Sequence, residues 1–99
     1  MRHYRYVIDE LSVSGQVMRG VGGSMIVAEF EGRGGIDWEL VVRTASGTSI
    51  EMAAHTLEMN GPEGHLSGPA LLVRSDGRSH VFRGAGTLVG FEGFPFDPI

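Results

Sequence analysis

Apolar and polar residues alternate with a period of two along most of this 99-residue chain, and such alternation predicts β-strands. The clearest stretch is residues 36–43, in which Ile36, Trp38, Leu40 and Val42 share one face. Residues 4–13 and 24–30 are rich in aromatic and β-branched side chains, and the first of these segments has a break near Asp9-Glu10. The pattern therefore predicts a β protein.

Turn-forming residues separate these segments at short intervals. Residues 31–35 are expected to end the second strand. Residues 45–47 predict a hairpin between segments 36–43 and 48–59. Asp76-Gly77 predicts a second hairpin, in which both turn residues have positive φ. About six or seven strands with strict up-and-down order follow. We expect an all-β fold, a small antiparallel up-and-down barrel of six to eight strands, that forms one domain over residues 1–99.

Residues 48–59 leave two interpretations open. Ile50, Ala53, Ala54 and Leu57 would share one face of a helix. A strand is favoured, because the turn before this segment is short and strands flank it on both sides.

Glycine is unusually frequent, with 16 residues in 99, and this argues against long helices. Gly84, Gly86 and Gly90 have the same parity in a predicted last strand, where they would let the sheet bend sharply or let another backbone or a ligand approach closely. Pro95 and Pro98 cannot continue a ladder, so we expect the phenylalanines of the tail to pack across a barrel end.

Composition limits the partners that this chain is expected to have. Its net charge is −4 and its eight arginines are dispersed, which argues against nucleic acid. It contains neither a signal-peptide segment nor an apolar run long enough to span a membrane, and we expect a cytoplasmic protein with no membrane partner. So short a chain buries only a thin core, which favours a closed barrel or a homodimer that covers a sheet edge.

Few residues suggest a particular chemistry. The chain lacks cysteine, and His3, His55, His65 and His80 lie in separate segments, so we predict neither a metal site nor a cofactor. The glycine-rich runs at 20–23 and 32–35 lack a P-loop lysine and are expected to be turns. Asp37 and Glu39 most simply face solvent, although a 45–47 hairpin would bring an acidic residue near His55.

The leading functional hypothesis is a barrel that binds a small apolar or amphipathic molecule. Trp38, Met52 and Phe82 would line the cavity, with His55 or His80 as its polar group. Catalytic residues are left unassigned, and whether the protein is an enzyme, for instance one that isomerises or cyclises its ligand by shape, stays open. The alternative is a non-enzymatic interaction or assembly module that uses a sheet edge to form a homodimer or to dock a partner.

Two family resemblances accompany these residues. Residues 64–68 and 82–90, with their recurring glycines, are similar to late strands of calycin-like and allene-oxide-cyclase-like barrels, which implies a barrel able to hold an apolar ligand. Arg2, Arg5 and Ser12 resemble the arginine pair and serine motif of PilZ domains, which implies binding of cyclic di-GMP. The arginine spacing and the short gap to the serine depart from that family's pattern.

Overall fold

A computed structural model describes residues 2–29, 35–45 and 49–92 of the chain. Eight strands form one antiparallel sheet in the order β1-β4-β5-β8-β7-β6-β2-β3, which confirms the predicted all-β antiparallel fold. The strands are β1 (Arg2–Ile8), β2 (Glu10–Val13), β3 (Gln16–Val17), β4 (Gly22–Glu29), β5 (Asp37–Arg43), β6 (Ala54–Gly61), β7 (Gly64–Asp76) and β8 (Ser79–Gly84).

The predicted break near Asp9 is confirmed, and it explains how the sheet curls. Strand β1 pairs with β4, whereas β2, one residue later, pairs with β6 at the other side of the sheet. The Asp9 N–H donates to the Asn60 carbonyl at 2.9 Å. A Cβ on Gly61 would lie 1.9 Å from the carbonyl oxygen of Val7, so the backbones of β1 and β6 are in close contact there. The sheet is not closed, because its edge strands β1 and β3 do not pair with each other.

The predicted up-and-down order is wrong, because three pairs of consecutive strands, β1–β2, β3–β4 and β5–β6, are not neighbours in the sheet. Strand β5 pairs with β4 and β8, and β6 pairs with β2 and β7, so no hairpin joins β5 to β6. The spatial order β5-β8-β7-β6 is that of a Greek key, in which the first of four strands lies beside the last. The Thr44 N–H donates to the Arg78 carbonyl, and the Ala45 N–H donates to the Arg19 carbonyl. These bonds direct the chain after β5 away from a tight hairpin with β6.

The strand interpretation of the fourth segment is confirmed for residues 54–59, while residues 49–53 form neither helix nor strand. The β7–β8 hairpin is also confirmed, but its turn is displaced by one residue. Asp76 pairs with Ser79, so the turn residues are Gly77 and Arg78, and of these two Gly77 alone has positive φ, at 63°. A positive φ at the first turn residue is typical of a type II′ turn, which requires glycine at that position.

The alternation predicted from the sequence separates the core from the surface. On β5, Trp38, Leu40 and Val42 are buried, whereas Asp37, Val41 and Arg43 are exposed. Among the described residues, the buried apolar ones are Ile8, Leu11, Val13, Met18, Met25, Val27, Trp38, Leu40, Val42, Leu57, Met59, Leu66, Ala70, Leu72, Phe82 and Leu88. The core lies on the concave side of the curled sheet, where these side chains meet.

The glycine-rich segment after β8 does not form the predicted last strand. Within residues 85–92 there is a single β-bridge, between Val89 and Ser67, made by two hydrogen bonds of 2.7 and 2.9 Å. Ala85 N–H donates to Pro69 O, which binds this segment to β7. The glycines therefore do not bend a sheet there. The phenylalanine tail, which was predicted to pack across a barrel end, lies outside the described residues. The same is true of residues 31–34, which belong to the turn predicted after the second strand.

Candidate functional site

Trp38 lies on β5 at the end of the sheet that residues 85–92 cross. Its indole is 3% exposed and Nε1 donates to the carbonyl of Gly86 at 3.0 Å, so the polar atom of this buried ring is satisfied. A Cβ on Gly84 would lie 2.4 Å from Nε1, and one on Gly68 would lie 3.0 Å from Cζ2. Glycine at these two positions makes room for the indole ring. A close approach does occur at Gly84, but the approaching group is the side chain of Trp38 and not the predicted backbone or ligand.

Two clefts open beside Trp38. One, of about 650 Å³, runs between the end of β5 and the segment after β8, and its exposed surface is more polar than apolar. It is lined by Ile36, Asp37, Trp38, Gly84, Ala85, Gly86, Thr87, Leu88 and Phe91. The other, of about 470 Å³, lies over the neighbouring strands and is lined by Ile26, Ala28, Asp37, Trp38, Glu39, Arg83 and Gly84. Trp38, Gly84 and Asp37 are common to both, so the two clefts adjoin at these residues.

Three charged side chains line the clefts. Asp37 is the carboxylate that both clefts share, and Glu39 and Arg83 face each other across the β5–β8 ladder at the smaller cleft. Apolar and polar groups are both exposed in the two clefts, so an amphipathic molecule would meet both kinds of surface.

His80 is the most unusual polar residue of the core. It is fully buried, its Nδ1 lies 2.8 Å from Ser75 Oγ, and Nε2 has no hydrogen-bond partner among the residues that the structure describes. Burial lowers the pKa of His80, because the protonated imidazole would lose its hydration. The side chain is consequently held neutral within the core.

His55, on β6, has both ring nitrogens engaged. Nδ1 lies 2.8 Å from Ser14 Oγ and Nε2 lies 2.7 Å from the backbone carbonyl of Glu51. Its ring also meets Phe82 edge-on, with centroids 6.5 Å apart. The expected proximity of a carboxylate on β5 to His55 depended on a β5–β6 hairpin, and this hairpin does not form.

The predicted ligand-binding residues are distributed between core and surface. Phe82 and His80 are fully buried, His55 contacts Phe82, and the side chain of Met52 is 61% exposed. Trp38 is the residue of this group that lines the two clefts. The sequence did not predict that residues 84–88 and Phe91 line a cleft. The shared parity of Gly84 and Gly86 did indicate that another part of the structure would approach the chain closely there.

The positions that resemble the PilZ motif do not converge. Arg2 pairs with Glu29 on β4, with Nε donating to the carboxylate at 2.9 Å. Arg5 is exposed on the opposite face of β1, and Ser12 lies on β2, near the other side of the sheet.

In the part of the chain that the structure describes, no group of three or more histidine or acidic side chains has the arrangement of a metal site. No helix in that part has the length and hydropathy needed to cross a membrane. Comparison of the chain with protein-family models, with curated protein sequences and with solved structures gave no match.

Proposed function

We propose that the protein binds a small amphipathic molecule in the larger cleft, between Trp38 and the segment at residues 84–91. The observation that carries this proposal is the position of the largely buried indole ring, which borders two adjoining clefts while its own N–H is satisfied by Gly86. A ligand in this cleft would not have to compete for the indole N–H.

The chemistry of the lining indicates the class of ligand. Ile36, Leu88 and Phe91 provide apolar contacts, and the Asp37 carboxylate at the border with the smaller cleft accepts hydrogen bonds from a polar group. A molecule with an apolar body and a hydrogen-bond donor at one end fits this arrangement.

Trp38 provides the readout for a direct test. We expect members of a panel of apolar and amphipathic compounds to change the fluorescence of this single tryptophan saturably. The variant Ala85→Phe fills the larger cleft from its exposed wall and should weaken binding by about tenfold or more, which corresponds to about 1.4 kcal/mol. Val89→Phe is the matched control, because Val89 is also exposed in this segment but does not line the cleft.

Two results would remove this proposal: no compound in the panel changes the Trp38 signal, or Ala85→Phe and Val89→Phe bind with equal affinity. Isomerisation or cyclisation of the bound molecule is a separate step. It is tested by analysing the compound recovered from the complex, which should differ from the compound supplied if the cleft promotes the reaction by shape.

A second candidate function is assembly through the outer face of the sheet. Val7, Ser24, Val41 and Val81 are cross-strand neighbours in one row over β1, β4, β5 and β8, and Val7 and Val41 are 56% and 41% exposed. Of the two edge strands, β3 has only two residues and offers few backbone groups for pairing, whereas β1 has seven, so this row and the adjoining edge of β1 are the candidate surface. Sedimentation should then show a homodimer that Val41→Glu dissociates, and a monomer at all concentrations would exclude it.

A further inference from the structure

Ser14 has an unusual backbone conformation for a residue with a side chain. It occupies the turn between β2 and β3, is exposed, and has φ 49°, the single positive φ among the described residues other than glycine. Positive φ is disfavoured for residues with a Cβ, and Gly15 follows with φ 84°. The β2–β3 turn thus presents the Ser14 hydroxyl at the protein surface.

The hydrogen bonds of His55 determine which of its nitrogens carries the proton. The Glu51 backbone carbonyl, 2.7 Å from Nε2, can only accept, so Nε2 is the protonated nitrogen of the neutral ring. Nδ1 therefore has a free lone pair, and it faces Ser14 Oγ at 2.8 Å. The edge-on contact with Phe82 supports the ring from the core side.

We propose that Ser14 is a nucleophile activated by His55 as general base, with the Glu51 carbonyl as the positioning group for the imidazole. A hydroxyl, a base within hydrogen-bond distance and a third group that orients the base together define an activated nucleophile. The substrate class is activated acyl and phosphonyl compounds. This site is separate from the cleft at Trp38, and the two proposals stand independently.

The reaction with an ester proceeds in two steps. Ser14 Oγ attacks the carbonyl carbon while its proton passes to His55 Nδ1, and the ester bond breaks as the alcohol leaves with that proton. Water then attacks the acyl-serine, gives its proton to Nδ1, and releases the carboxylic acid as the proton returns to Ser14 Oγ. The sum is one ester and one water converted to one acid and one alcohol.

The same geometry limits the reaction to activated substrates. The N–H of Ser14 donates to the Thr56 carbonyl at 2.8 Å, so it is not available to a developing oxyanion. The orienting group is a neutral carbonyl, which stabilises an imidazolium less than a carboxylate does. Good leaving groups compensate for both features, and alkyl esters and amides should react poorly.

The test is covalent labelling of the full chain with a fluorophosphonate, followed by intact mass and peptide mapping. Attack by Ser14 Oγ on phosphorus expels fluoride and leaves a stable adduct on Ser14. Ser14→Ala should give no adduct. His55→Gln should be labelled about 100-fold more slowly, which is within the usual contribution of a general base. Ser12→Ala, two residues earlier in the same hairpin, is the matched control and should be labelled at the original rate.

One further variant separates chemistry from folding. Ser14→Gly removes the hydroxyl while glycine accepts the positive φ, so this variant should fold and remain unlabelled. The proposal is overturned if no adduct forms, if the adduct maps to another residue, or if a folded His55→Gln protein reacts as fast as the original.

Discussion

Gly84→Ala is the sharpest perturbation that the structure offers, because it adds one methyl group directly against the buried indole of Trp38. The new Cβ would lie 2.4 Å from Nε1 and 2.6 Å from Cδ1. The ring cannot easily move away, since it is 3% exposed and its N–H is bonded to Gly86. Overpacking of this kind costs about 1–3 kcal/mol. For a domain of this size, a loss of about 2 kcal/mol lowers Tm by roughly 10 °C.

Gly22→Ala is the matched control for this experiment. Gly22 also lies in a strand, but a Cβ there has nothing within 4 Å and its φ is not positive. Alanine should therefore be neutral or should stabilise the strand by about 0.5 kcal/mol. Urea unfolding followed by circular dichroism measures both variants, with Trp38 emission as a local probe.

A double-mutant cycle attributes the effect of Gly84→Ala to the indole. Trp38→Leu vacates the volume next to residue 84, so Gly84→Ala should cost much less in that background, with a coupling energy of about 1 kcal/mol or more. If Gly84→Ala destabilises the Trp38→Leu protein as much as the original one, or if it leaves the original stability unchanged, the proposed packing of the ring against β8 is refuted.

Two other predictions concern single positions. Because burial lowers the pKa of His80 in the folded protein, the unfolded state binds more protons once the pH falls below about 6.5, and stability should decrease from there towards acid pH. His80→Leu should reduce this slope in urea titrations at several pH values, and equal slopes for the variant and the original protein would contradict the assignment. Gly77→Ala should cost about 1–2 kcal/mol through its φ of 63° alone, since a Cβ there meets nothing within 4 Å. An unchanged urea midpoint would show that the turn relaxes.

The strands were predictable where alternation and composition agreed. On β5, each apolar residue of one parity from Trp38 to Val42 is buried, because a strand with one face on the core must alternate. The break at Asp9 was visible as two polar residues that interrupt an apolar segment, and the structure uses it to pass from one side of the sheet to the other.

Strand neighbours were less predictable, because alternation identifies which face is buried and not which strand lies alongside. The short 45–47 turn suggested that β5 returns directly into β6. Instead Val41 pairs with Val81 and Leu40 with Phe82, which are distant in sequence. Such pairings depend on the packing of the whole core, and local turn residues do not encode them.

The candidate sites also depend on groups that a strand pattern does not reveal. The parity of Gly84 and Gly86 was interpreted as one face of a strand, whereas each serves a different contact: Gly84 borders the indole ring and the Gly86 carbonyl accepts its N–H. Ser14 and His55 are 41 positions apart, and their hydrogen bond forms only because β2 pairs with β6.

The pairing of β2 with β6 accounts for the position of Ser14 as well as for the curl of the sheet. Val13 pairs with Leu57, and the Ser14 N–H donates to Thr56 O, so the β2–β3 turn is held directly beside His55. The same strand β6 contacts β1 through Gly61, where even a methyl group would collide with the Val7 carbonyl. A substitution at Gly61 should therefore loosen both the curl and the Ser14–His55 contact. The rate at which fluorophosphonate labels Ser14 in Gly61→Ala would report this coupling, because Gly61 and His55 lie at opposite ends of β6.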